Sequence, residues 1–305
     1  MQTMYLTGRR SGLALALLTL PCAVFAQAIT VETAAGPVSV AAVPETIVAL
    51  DLAAIDTLSA LGVTLDGVPD FTPPAYLAPA MDGVPTTGTL FEPDFEALAV
   101  MAPDLIVAGG RSQPMVDALS QIAPTLDMTI TGTDVMAQAW ARIAAYGAIF
   151  GREAQAAELT ADLETRLQAA RAAVEGRGNA LILMTNGGTV SAYGADSRFG
   201  WLHRDLGLPQ AHEGITAENH GEAVSFEFIA EVNPDWMLVL DRGAAIGQAG
   251  QSAAATLDNP LVMGTTAGRS GQILYLDSGA LYLAAGGAQS MAIVLDQITG
   301  AFGQE

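Results

Sequence analysis

The sequence has few of the side chains that enzymes use for nucleophilic and acid-base chemistry. Its 305 residues contain a single cysteine, Cys22, only three histidines and no lysine. If the first 26 residues are removed as a leader, the remaining chain has no cysteine, which excludes disulfides, thiolate catalysis and zinc-thiolate sites. A metal ion would then have to bind through His, Tyr, Asp or Glu, or arrive inside a chelator of its own.

Positive charge is also scarce. Arginine supplies all 12 cationic side chains against 32 acidic ones, for a net charge of −20. Because the leader carries two arginines and no acidic residue, its loss takes the net charge to −22. Such an acidic surface repels nucleic acid and anionic membranes, so neither is expected as a partner. Arginines that cluster against this background would indicate a site for an anionic ligand.

Catalytic sequence motifs are missing as well. The chain has no Gly-x-Ser-x-Gly elbow, no Gly-x4-Gly-Lys-Ser/Thr loop and no His-Glu-x-x-His pair. Paired carboxylates carry little information in so acidic a chain. Ligand binding is therefore favoured over catalysis.

The first 26 residues have the pattern of an export signal. Arg9 and Arg10 precede an apolar run over residues 13–20, and small residues follow, so cleavage is expected after Ala26 or Ala28. The run is too short to span a bilayer. General secretion is favoured over twin-arginine export, because the residues around the arginine pair match the twin-arginine pattern only in part.

The same segment bears on a lipid anchor. Cys22 would be the attachment point, but a lipid-anchoring cysteine normally follows a small residue, and this one follows Pro21. A lipid anchor is therefore disfavoured, and the leader predicts a protein released into the periplasm.

Two segments of the chain align without a gap. Residues 95–111 are FEALAVMAPDLIVAGGR, and residues 226–242 are FEFIAEVNPDWMLVLDR. Each predicts a short helix opened by Phe-Glu, a Pro-Asp turn, an apolar strand and an arginine beyond the strand. Ligands of open α/β sheets sit beyond the carboxyl ends of the strands, so Arg111 and Arg242 are expected to face a shared ligand.

The rest of the chain fits two similar α/β lobes. Short apolar strands alternate with helices over residues 29–150 and again over residues 178–305. Between them, residues 151–177 have apolar positions at helical spacing and glycines past the end. About 24 helical residues at ~1.5 Å each would reach roughly 36 Å, which suits a rigid connection between two lobes.

Three later segments carry a family resemblance. They are SAYGADSRFGWLHRDLGL, ENHGEAVSFEFIAEVNPDWMLVLDR and ILYLDSGALYLAAGGAQS. They resemble periplasmic ferric-siderophore-binding proteins of ABC importers, above all the subgroup for catecholate siderophores such as petrobactin. The resemblance implies the class III periplasmic binding protein fold, in which two α/β lobes are joined by a single long helix. It also implies a monomer without intrinsic cofactor that carries ferric iron as a siderophore complex and delivers it to an ABC permease.

The resemblance further implies that Arg111, Arg198 and Arg242 bind the siderophore. A ferric tris-catecholate carries a charge near −3, and guanidinium groups neutralise it while donating to the catecholate oxygens. Arginine suits this task because it does not lose its proton. Taken singly, each could be an ordinary surface arginine.

His220 and Tyr282 match the residues that complete the coordination of iron in this subgroup when the siderophore offers only four donors. Phenolate is a hard donor suited to ferric iron, and imidazole is a borderline one. Around Tyr282 the chain departs from its relatives, which commonly have Asp-Pro and an aromatic-rich run where residues 277–281 are Asp-Ser-Gly-Ala-Leu. Tyr275 is a weaker alternative ligand.

Glu96 and Glu227 match the exposed glutamates with which this importer class docks on arginines of the permease. One carboxylate on each lobe suits recognition by a symmetric partner. An acidic residue in the first turn of a helix also stabilises the helix dipole, which is the simpler interpretation of both residues.

Two alternatives remain open. Within the same class, the ligand could be haem or another metal chelate such as cobalamin, although three arginines argue against haem. From a different class, the chain could be an exported enzyme that acts on an anionic small molecule. His220 would then be the base, oriented by Glu218 or Glu222.

Overall fold

The computed structural model describes Met1 and residues 28–41, 43–215 and 220–303. Apart from Met1, the predicted leader lies outside the described residues, including Arg9, Arg10 and Cys22. Within these ranges, none of the helices combines the length and the apolar character needed to cross a membrane.

The first half of the chain is built on a small parallel sheet. Its strands β3 (Ile47–Ala49), β4 (Leu105–Ala108) and β5 (Thr125–Asp127) lie side by side in that order. A hairpin of β1 (Ala28–Thr33) and β2 (Gly36–Ala41) precedes them. The helices are α1 (Leu52–Ala60), α2 (Ala78–Met81), α3 (Phe95–Met101), α4 (Val116–Leu119) and α5 (Val135–Phe150), with a 3-10 helix at Gly110–Met115. Every residue of β4 is buried, as its unbroken apolar sequence predicts.

A long helix, α6 (Glu153–Val174), follows. It begins two residues later and ends three residues earlier than the predicted 151–177. The break before it is Gly151, which ends α5 in the left-handed conformation at a φ of 61° that favours glycine. At ~1.5 Å per residue the helix is about 33 Å long. One face of it is buried, at Ala156, Leu163, Leu167, Ala170 and Val174.

The second half contains a five-stranded mixed sheet among the described residues, in the order β10-β9-β6-β7-β8. The strands are β6 (Ala180–Asn186), β7 (Thr189–Tyr193), β8 (Glu222–Ala223), β9 (Trp236–Asp241) and β10 (Ile273–Tyr275). Strands β10, β9 and β6 are parallel, whereas β7 and β8 are antiparallel to their neighbours. The helices are α7 (Trp201–Arg204), α8 (Phe226–Val232), α9 (Arg242–Ala245), α10 (Ala253–Leu257), α11 (Pro260–Met263), α12 (Thr266–Ser270) and α13 (Ala288–Phe302), and a π-helical turn lies at Gly279–Leu283.

The closing helix α13 connects the two halves. It packs on α6 and on α1, and one hydrophobic core runs through residues of all three. Asp56 of α1 is fully buried, and its carboxylate accepts hydrogen bonds from the backbone N–H groups of Gln289 (2.7 Å) and Ser290 (2.8 Å). A carboxylate from the first half thus caps the N-terminus of the last helix.

The internal repeat folds as two matching units. Asp94 caps α3 and Ser225 caps α8, each through a side-chain oxygen that accepts backbone N–H groups of the first turn. Both helices end in a left-handed residue, Ala102 at a φ of 49° and Asn233 at a φ of 47°. Strand β4 follows Ala102, and strand β9 follows Asn233. The predicted helix, turn and strand of each copy are therefore present.

Candidate ligand-binding site

A cleft between the two halves holds the sequence-predicted ligand residues. It encloses about 660 Å³ and is lined from the first half and from the second. The predicted residues that line it are Arg111, Arg198, His220, Arg242 and Tyr282. The structure therefore brings together five residues that span 172 positions of the chain.

Strand ends position two of the arginines. Arg111 lies in the 3-10 helix that follows β4, where Gly110 has a φ of 52° that favours glycine. Arg242 begins α9 directly after β9, and Asp241 caps that turn by accepting the N–H of Ala244 at 2.9 Å. The carboxyl ends of the two repeat strands thus face the cleft, as expected for open α/β sheets.

Tyr282 is the centre of the arginine cluster. Arg242 donates from Nε to the phenolic oxygen of Tyr282 at 3.2 Å. Arg198 donates from Nη2 to the backbone carbonyl of Tyr282 at 3.0 Å, and Arg111 from Nη1 to that of Leu283 at 3.4 Å. The guanidinium carbons of Arg198 and Arg111 lie 4.9 and 5.4 Å from the tyrosine ring centroid, within cation-π range. Three guanidinium groups from both halves therefore surround one tyrosine.

The π-helical turn Gly279–Leu283 explains how Tyr282 reaches this place. Leu281 and Leu283 are buried and Tyr282 is half-buried, so the flanking leucines anchor the turn and leave the tyrosine in the cleft. Such single π turns frequently occur at functional sites. The backbone carbonyls of Tyr282 and Leu283 also accept the two arginine hydrogen bonds, because the last carbonyls of a helical turn have no partner within it.

The arginines change the acidity of the phenol. Burial alone raises the pKa of Tyr282, but the hydrogen bond from Arg242 and the charges of Arg242, Arg111 and Arg198 lower it, and the net effect is a lowered pKa. Burial lowers the pKa of Arg198, Tyr282 raises it, and Arg111 lowers it. The cluster thus favours an anionic partner at its centre, whether a phenolate or a ligand oxygen.

Asn186, the last residue of β6, belongs to the site although no sequence motif indicates it. Its side-chain oxygen accepts a hydrogen bond of 3.2 Å from Nη1 of Arg242, so this arginine is held from two sides. Because β6 and β9 are neighbouring parallel strands, their carboxyl ends lie together. A polar residue at the end of β6 is the feature of the sequence that could have indicated this contact.

Asp51 was also missed. It caps α1 by accepting the N–H of Ala54 at 3.0 Å, and it lines the cleft on the side of the first half. Burial raises the pKa of Asp51, while the hydrogen bond from Ala54 and the charges of Arg111 and Arg142 lower it, and the net pKa is raised. The local sequence around Asp51 indicates only a helix cap, and its position in the cleft follows from the fold.

Of the other proposed iron ligands, His220 lies in the cleft and Tyr275 does not. His220 is exposed and lines the cleft. Tyr275 instead lines a separate cavity with Asp241 and Asp277, so it is not a substitute for Tyr282 in this cleft. Glu218 lies outside the described residues, and Glu222 is exposed in β8. No group of three or more His, Cys, Asp or Glu suited to hold a metal occurs in the part of the chain that the structure describes.

Glu96 and Glu227 lie away from the cleft. Both are exposed in the first turns of α3 and α8, at matching positions of the repeat. The pKa of Glu227 is lowered by its own backbone N–H and by the hydroxyl of Ser225. Each therefore presents a carboxylate to solvent while stabilising the start of its helix.

Known proteins resemble this chain over most of its length. The sequence model of the periplasmic binding protein family matches residues 47–280. The petrobactin-binding protein YclQ of Bacillus subtilis is 33% identical over 259 residues, which cover 84% of this chain and 81% of YclQ. The ferric-anguibactin-binding protein FatB of Vibrio anguillarum is 29% identical over 282 residues, which cover 88% of this chain and 86% of FatB.

Solved structures of periplasmic siderophore-binding proteins are also similar to this chain. The crystal structure of YclQ has a TM-score of 0.86 at 32% identity and covers 92% of this chain and 100% of that one. The crystal structure of VctP, a periplasmic catecholate-siderophore binding protein of Vibrio cholerae, has a TM-score of 0.84 at 29% identity and covers 90% of this chain and 100% of that one.

Proposed function

Because this chain belongs to the periplasmic binding protein family, we propose that it captures a ferric siderophore in the cleft and delivers it to the permease of an ABC importer. The fold is the class III arrangement of this family, with two α/β lobes connected by a long helix, as the sequence predicted. Membership of this family makes the protein a binding protein and not an enzyme.

The convergence of three guanidinium groups on Tyr282 is the observation that carries the catecholate assignment. A ferric catecholate is an anion with its negative charge on oxygens that accept hydrogen bonds. Arginine meets that charge with a planar group of several donors. Arg111, Arg198 and Arg242 would bind it from both halves, and the names of YclQ and VctP support the same ligand class. Haem, with its large apolar face, fits this charged cleft less well.

Tyr282 and His220 would complete the coordination of ferric iron in a siderophore that offers four donors. Phenolate is a hard ligand for ferric iron, and the lowered pKa of Tyr282 makes the phenolate more accessible. His220 is exposed at the cleft, so its ring is free to approach a bound complex. The iron is cargo and leaves with the siderophore.

Delivery to the permease would involve the start of each repeat copy, whereas the arginine at its end faces the ligand. Glu96 and Glu227 are exposed, one on each half, and would dock against cationic residues of the permease. In this arrangement residues 29–150 and 178–305 act as the two lobes and residues 151–177 as their connection. The leader would direct a monomer to the periplasm by general secretion without a lipid anchor.

Quenching of tryptophan fluorescence tests the proposal directly. The purified protein is titrated with a ferric bis-catecholate and with a ferric tris-catecholate, in wild type and in His220→Ala. Saturable quenching is expected with the wild type, and the variant should lose affinity mainly for the bis-catecholate, which lacks two donors. Quenching by neither complex would contradict the proposed function.

A further inference from the structure

The two walls of the cleft differ in charge. The second half contributes Arg198, Arg242, His220 and Tyr282. The first half contributes Arg111 together with the carboxylate of Asp51 and the hydroxyl residues Thr129 and Thr131. A carboxylate is an unexpected group in a cleft whose other features favour an anion.

Only one oxygen of Asp51 is used by the helix that it caps. Oδ2 accepts the N–H of Ala54 at 3.0 Å, whereas Oδ1 takes part in no hydrogen bond among the described residues. Oδ1 lies beside Gly110, 3.4 Å from the point where a Cβ on that glycine would stand. Gly110 lines the same cleft, so the absence of a side chain there leaves this oxygen open to it.

The nearby cations do not pair with Asp51. Arg142 donates to the carbonyls of Met128, Thr129 and Gln138, and Arg111 donates to the carbonyl of Leu283. The ion pairs found in the described ranges both involve Arg166, on α6. Asp51 therefore has no ion-pair partner in this part of the structure.

Burial raises the pKa of Asp51 more than the hydrogen bond from Ala54 and the charges of Arg111 and Arg142 lower it, so the protein compensates only part of the cost of charging this carboxylate. An anionic ligand alone would add repulsion to this cost. A hydrogen-bond donor that carries positive charge would relieve it, because hydrogen bonds to charged groups are among the strongest in proteins.

We propose that Asp51 makes the cleft selective for ferric siderophores that carry a protonated amine in the arm joining their catechols. The catecholate oxygens would face Arg198 and Arg242, and the ammonium group would donate to Oδ1 of Asp51 across the cleft. This inference rests on the proposed function, and it specifies which members of the ligand class the site prefers.

Two synthetic ferric bis-catecholates of equal length test the inference. One has a secondary amine in the linker, and the other has an ether oxygen at the same position. Dissociation constants are measured by tryptophan quenching for the wild type, Asp51→Asn and the control Asp94→Asn. Asparagine caps helices about as well as aspartate, so both variants should keep their helices while losing one negative charge each.

The wild type should prefer the amine complex by about tenfold or more, the lower end of what a hydrogen bond between charged groups contributes. Asp51→Asn should reduce that preference to near unity, and Asp94→Asn, which removes the same charge outside the cleft, should retain it. Equal binding of both complexes by the wild type would overturn the inference while leaving the proposed function intact. A preference that survives in Asp51→Asn would also overturn it, and binding of neither complex would contradict the proposed function itself.

Discussion

Replacing Arg242 with alanine is the most informative single change in the arginine cluster. The substitution removes the hydrogen bonds from Nε to Tyr282 and from Nη1 to Asn186, both of 3.2 Å. It also removes one of three cations from the cleft and, with it, the hydrogen bond and the charge by which Arg242 lowers the pKa of the Tyr282 phenol. Ligand oxygens and the tyrosine both lose a donor.

The expected loss of affinity follows from the bonds involved. A hydrogen bond to a charged group contributes about 1.5 to 3 kcal/mol, so Arg242→Ala should weaken binding of a ferric bis-catecholate roughly 10- to 150-fold. Folding should be little affected, because Arg242 is only half-buried and its acceptors can bond to water instead. Thermal unfolding midpoints of variant and wild type should therefore agree within a few degrees.

Arg242→Lys is the matched control for this change. Lysine keeps the positive charge but lacks the planar fork that contacts two acceptors at once, so affinity should fall between those of the wild type and the alanine variant. The assay is tryptophan quenching at constant ionic strength, because exposed charges are screened by salt. Unchanged affinity in Arg242→Ala would show that this arginine does not bind the siderophore.

Further predictions concern positioning, pH and backbone strain. Asn186→Ala should weaken binding severalfold, less than Arg242→Ala, because Arg242 stays but loses one of its two acceptors; equal loss in both variants would contradict a positioning role. Burial raises the pKa of Asp56 to about 7, although hydrogen bonds from Gln289, Ser290 and Tyr76 lower it. The folded state therefore binds the proton more tightly than the unfolded chain. Stability from this group is therefore present below about pH 4 and lost as pH rises through about 7. The difference in unfolding free energy between the wild type and Asp56→Asn, measured by urea denaturation, should therefore fall by up to about 4 kcal/mol over that pH range. A difference that stays constant with pH would contradict the raised pKa of Asp56. Ala102→Gly should stabilise the protein by about 0.5 to 1 kcal/mol, since the φ of 49° is strained for alanine; destabilisation would show that no such strain is relieved.

Local sequence patterns predicted much of the scaffold. The apolar strand predicted in the first repeat copy is β4 at residues 105–108, since four apolar residues after a Pro-Asp turn leave few alternatives. The long helix was predicted because its apolar spacing extends over six turns. The observed ends of this helix differ from the predicted ones by two and three residues, because helix ends depend on local geometry that composition describes poorly.

The organisation of the site depends on contacts that local patterns do not encode. Arg111 and Leu283 are 172 positions apart, and their hydrogen bond exists only because α13 and the turn before it pack against the first half. Asp56 likewise caps a helix more than 230 positions away. The family resemblance supplied the identities of the arginines, but the central position of Tyr282 and the place of Asp51 in the cleft required the structure.

We propose that a ferric catecholate binds in this cleft with Tyr282 at the metal. The most direct measurement is a titration of a ferric bis-catecholate followed through its visible charge-transfer band, with wild type and Tyr282→Phe compared. Phenylalanine keeps the ring beneath the guanidinium groups of Arg111 and Arg198 and removes only the phenolic oxygen. We expect a saturable shift of the band with the wild type that Tyr282→Phe does not reproduce. A wild-type protein that leaves the band unchanged at saturating concentration would contradict it.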